Sequence, residues 1–76
     1  MKFSHFVEQI KIGSIEKILI YKSPDNLTHW FPMIKTDDLK LHILVDEQEL
    51  PITNTSIDNL LIFLKNAGAK KVEVIL

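Results

Sequence analysis

A chain of 76 residues without cysteine makes one domain and has neither disulfides nor thiolate metal sites to reinforce it. So small a body buries only about 60% of the surface its unfolded form exposes, yet 46% of its residues are hydrophobic, more than a small core needs. The net charge is −1 and all nine basic residues are lysine, which argues against sequence-specific DNA reading, since arginine supplies the planar fork that grips phosphate and guanine edges.

In chain order, Ser4 is the expected cap of a first helix, with Phe3, Phe6, Val7 and Ile10 on one stripe and Gly13 as its left-handed stop. Residues 15–22, "IEKILIYK", are short and β-branched and read as a strand; a helix running on through Gly13 is the competing reading. "SPDN" at 23–26 is a turn, with proline presetting its second position. The segment 28–35, "THWFPMIK", follows as a second strand. "LKLHILVD" at 39–46 alternates, with Leu39, Leu41, Ile43 and Val45 on one side and Lys40, His42, Leu44 and Asp46 on the other. A tight connection through 36–38 makes these two strands an antiparallel hairpin, although it lacks the glycine that two-residue loops prefer.

"ELPIT" at 49–53 reads as a short extra strand. Thr55 is the expected cap of a second helix, with Asp58 three residues on. Its apolar stripe is Ile57, Leu60, Leu61 and Leu64, and Gly68 ends it. The final "KKVEVIL" alternates again. The expected fold is therefore α+β, a single domain over 1–76 in the order α-β-β-β-(β)-α-β. It is a two-layer sandwich with a mainly antiparallel sheet of four or five strands and both helices on one face, and a right-handed crossover returns the last strand parallel to its neighbour.

The second strand raises the functional question. Alternation puts Trp30, Pro32 and Ile34 on one face and His29, Phe31, Met33 and Lys35 on the other. Helices on one side of a sheet cover only one of these faces. Burying an aromatic or methionine side chain contributes roughly 1.5–3 kcal/mol, so an uncovered Phe31–Met33 pair forgoes several. Pro32, having no N–H, directs the strand toward an edge or a bulge.

Catalytic signatures are missing. His5, His29 and His42 lack metal-site spacing, so neither metal nor cofactor is expected. The serines read as caps and turn residues, and no GxSxG or phosphate-binding glycine loop occurs. An enzyme is not expected. Residues 1–36 hold five lysines against three acids, and residues 37–76 hold four against seven. Asp37, Asp38, Asp46, Glu47 and Glu49 fall in turn regions.

The leading expectation is a non-catalytic protein-interaction module, self-associating as a homodimer and regulating or inhibiting a larger protein partner. Its candidate partner-binding residues are Trp30, Phe31, Met33, Asp46, Glu47 and Glu49. Small, motif-free accessory proteins of plasmids and phages offer an analogy of size alone. Two alternatives are single-stranded nucleic-acid binding through Lys2, Lys11, Lys17, Lys22 and Lys35 with aromatic stacking, and small-molecule binding. With no visible export signal and no run of roughly 18 apolar residues, a cytoplasmic protein without a membrane partner is expected.

Overall fold

The helical spacing of Phe3, Phe6 and Ile10 is realised as α1 (Phe3–Ile12), which stops at Gly13 in the left-handed conformation, φ 77°. β1 (Ile15–Lys22) leaves directly from this stop and is followed by β2 (Trp30–Thr36), β3 (Leu41–Ile43), α2 (Ile57–Asn66) and β4 (Glu73–Ile75). The computed structural model describes residues 1–76. Its four strands form one mixed sheet in the order β3-β2-β1-β4. β1–β2 and β2–β3 pair antiparallel, and β1–β4 pairs parallel. Phe6 of α1 and Leu60 and Leu64 of α2 meet Ile18, Ile20, Ile34 and Leu44 in one buried cluster, so both helices cover the same face. This is the expected two-layer α+β sandwich.

Several boundaries differ from the sequence reading, each for a local reason. Helix α1 starts one residue before Ser4, with Lys2 at the cap position and no side-chain cap bond. The segment before the helix is instead tied to β3: Met1 donates from its backbone nitrogen to the Ile43 carbonyl at 2.9 Å. The Val45 N–H then donates to Met1, and the Phe3 N–H donates to Val45, both at 2.9 Å. Residues 1–3 thus lie along the outer side of β3. Ser56 rather than Thr55 caps α2, its hydroxyl accepting from the Asn59 N–H at 3.2 Å.

The expected strand over 39–46 shrinks to three residues, and Pro32 explains why. Ile34 faces His42 in the β2–β3 register, so the next pair would be Pro32 with Leu44. The Leu44 N–H reaches the Pro32 carbonyl at 3.4 Å, but proline has no N–H to return. The Leu44 carbonyl instead accepts from Ile52 at 3.0 Å. Beyond the proline, Trp30 exchanges two hydrogen bonds with Asn54, at 2.8 and 3.0 Å. Residues 49–53 therefore make a single isolated bridge, Pro51 with Val45, rather than a fifth strand. Nor is β2 an edge strand, since the proline is accommodated in the interior by ending β3.

Two loops of one design flank this junction. Thr36 donates to the Lys40 carbonyl at 3.0 Å and Asp46 to the Leu50 carbonyl at 2.9 Å, each closing three residues. The last of the three, Leu39 in one and Glu49 in the other, has φ 66°. This is the three-residue hairpin loop with a left-handed final position, here built without glycine.

Candidate interaction face of the sheet

Because side chains alternate along a strand, the odd-numbered residues of the four strands point away from the helices, except Ile15, which precedes a register shift in β1 and packs against the core. Strand register arranges them in levels. Ile43, Met33, Leu19 and Glu73 stand side by side across β3, β2, β1 and β4. One level on, Phe31, Tyr21 and Ile75 form the next row, with the Phe31 and Tyr21 rings stacked at 6.0 Å between centroids. In the other direction, Leu41, Lys35 and Lys17 close the face.

Neither helix covers these side chains. Ile43 is 46% exposed, Leu41 53% and Ile75 39%, whereas Leu19 is buried; Tyr21, Phe31 and Met33 are half-buried. A shallow cavity of about 240 Å³ opens beside Phe31 and Ile43, walled by Pro51, Thr53 and Asp25. Charge sits at the margins. Lys17 approaches Glu73, and Lys35 approaches Glu16, each at 3.8 Å between partly exposed groups. Ion pairs this long and wet hold their side chains weakly.

The structure separates the six residues singled out in the sequence. Phe31 and Met33 lie on the open face. Trp30 points the other way and packs against the core, with the Lys22 ammonium 5.5 Å from its ring centre. Asp46, Glu47 and Glu49 belong to the second of the two loops. There Asp46 has a structural task, its carboxylate accepting from the N–H groups of Gln48 at 2.8 Å and Leu50 at 3.0 Å. In the matching loop Asp38 accepts from the Thr36 hydroxyl. That bond, helped by the Lys40 N–H and ammonium against some desolvation, holds the Asp38 carboxyl below its ordinary 3.8.

The histidines remain apart in role. His29 contacts the Thr28 hydroxyl at 3.1 Å and His42 the Thr36 hydroxyl at 3.4 Å. His5 and His42 both border a polar cleft with Asp37 and Asp38, but no three histidine or acidic side chains stand close enough to hold a metal ion. The lysines named for nucleic acid are dispersed. Lys17 and Lys35 are on the open face, Lys22 is behind the sheet, Lys2 is at the start of α1 and Lys11 is in its last turn.

Sequence reading found Phe31 and Met33 but not their neighbours Leu19, Tyr21, Leu41, Ile43 and Ile75. The signal was present. "ILIY" is apolar at both parities, and the apolar set of the third strand is the one that faces solvent while His42 and Leu44 turn inward. No helix is long and apolar enough to cross a membrane. No protein-family model, curated protein or solved structure matches this chain.

Proposed function

We propose that this chain is a non-catalytic protein-interaction module that docks a partner protein on the helix-free face of its sheet, and through that contact regulates or inhibits it. The observation that carries the reading is the contiguous apolar field of Tyr21, Phe31, Met33, Leu41, Ile43 and Ile75 around a buried Leu19, partly open to solvent on a domain whose own core is small. Monomeric soluble proteins rarely leave large apolar patches bare, and patches rimmed by polar groups mark interaction sites. Aromatic and methionine side chains are also the types enriched where proteins meet.

Affinity capture with the intact protein and with its Phe31→Glu and Ile43→Glu variants tests this reading. The expected outcome is a defined set of captured proteins lost from both variants while their thermal melting stays cooperative. Capture that both variants leave unchanged contradicts it.

One arrangement supports a second reading. Tyr21 and Phe31 stand side by side on the two central strands, with Lys17 and Lys35 a few residues away, a layout on which single-stranded bases can stack. The aliphatic majority of the face and the net charge of −1 favour protein. Anisotropy of a labelled single strand at low salt separates the two: salt-sensitive binding abolished by Tyr21→Ala supports nucleic acid, and a flat titration removes it. Small-molecule binding on the open face is the least supported, because the cavity there, about 240 Å³ beside Phe31, is smaller than the roughly 300 Å³ at which ligand pockets begin.

A further inference from the structure

We infer that the occupant of the open face is a second copy of this chain, packed sheet to sheet about a two-fold axis that runs across the strands. This rests on the docking face proposed above and names what occupies it in the free protein. Two observations carry it, the size of the face and the placement of its charges.

The molecule exposes 5075 Å² in all and measures 33 × 25 × 23 Å. One broad face of such a block is about one sixth of its surface, roughly 850 Å², close to the ~800 Å² that each partner contributes to a standard stable interface. The face is therefore large enough for an identical face, and two sheets packed so would bury their apolar rows in a layer about 10 Å thick. A much larger partner is not needed to cover it.

Charge selects the orientation. Lys17 and Lys35 occupy one end of the face, at the start of β1 and the end of β2. Asp25 borders the cavity beside Phe31 at the opposite end. If the two-fold axis ran along the strands, each level would meet its own copy, and four lysines would face one another. With the axis across the strands the levels reverse. The lysine end of one copy then lies over the Asp25 end of the other, and the Met33–Leu19 row lies over the Phe31–Tyr21 row. The opposite-charge contact is then made twice, once at each end of the interface, as a two-fold contact requires. Lys17 and Lys35 can serve them because their present pairs, at 3.8 Å, are loose.

Sedimentation equilibrium on the wild type and four variants tests the arrangement, with melting curves confirming that each variant is folded. The wild type is expected to be a dimer, and Ile43→Glu and Met33→Glu to be monomers. Lys35→Glu and Asp25→Lys are each expected to weaken the dimer about tenfold. An equimolar mixture of these two should regain wild-type affinity as a heterodimer, because each copy then supplies the charge the other needs. A wild type that stays monomeric at about 1 mM, a dimer indifferent to Ile43→Glu, a tighter dimer with Lys35→Glu, or a mixture without rescue overturns the inference. A monomeric wild type that still captures proteins in an Ile43-dependent way removes the second copy and leaves the docking face standing. Absence of both dimer and face-dependent capture removes both.

Discussion

Asp46 shows how one side chain type divides between structure and surface. Of the three acids in its loop, only Asp46 spends its carboxylate on backbone N–H groups, at 2.8 and 3.0 Å. Glu47 and Glu49 are exposed. Replacing Asp46 by alanine leaves two turn N–H groups without their acceptor and should cost about 1 kcal/mol, which for a domain of this size lowers Tm by roughly 4–8 °C. Glu47→Gln should leave Tm unchanged; equal losses from both would contradict this division of roles. The sequence shows that acids cluster here. It does not show which one the turn consumes, because that depends on which residue immediately precedes the three-residue loop.

The helices were legible in the sequence because their stripes and glycine stops are local. Gly68 is such a stop, at φ 109°, and it also lies where the two helices meet. A Cβ built on it would stand 3.2 Å from the Ile10 Cγ2. Gly68→Ala is therefore expected to cost about 2 kcal/mol from the left-handed backbone and the contact together, a large part of the roughly 4–11 kcal/mol that holds a domain of this length. Gly13→Ala, at φ 77° with nothing within 4 Å, should cost about 1 kcal/mol. Urea titration of the two variants checks the order, and an equal or reversed ranking contradicts the helix contact. The strands were harder to bound. Pro32 was visible as an obstacle, but its remedy was not, since a carbonyl diverted to Ile52 and a new pairing at Asn54 are long-range events with no local signature. For the same reason the pairing of residues 1–3 with 43–45 left no trace in the pattern near Met1.

At the scale of the whole molecule, the surplus of apolar side chains and the single helical layer have one consequence. Two helices of ten residues each cover one side of a four-stranded sheet, and the other side keeps its leucine, isoleucine, methionine and aromatic residues in water. The two-faced character of 28–35 was readable from alternation. The extent of the field was not, because it arises only when register sets Leu19, Met33 and Ile43 in one row. Burial of that row against a second copy of the chain is the central claim. Methyl NMR spectra recorded over a dilution series address it most directly. The account predicts that Leu19, Met33 and Ile43 methyl signals shift with concentration while Leu60 and Leu64, deep under the helices, stay fixed. Open-face signals that hold still across the series while methyls elsewhere move would contradict it.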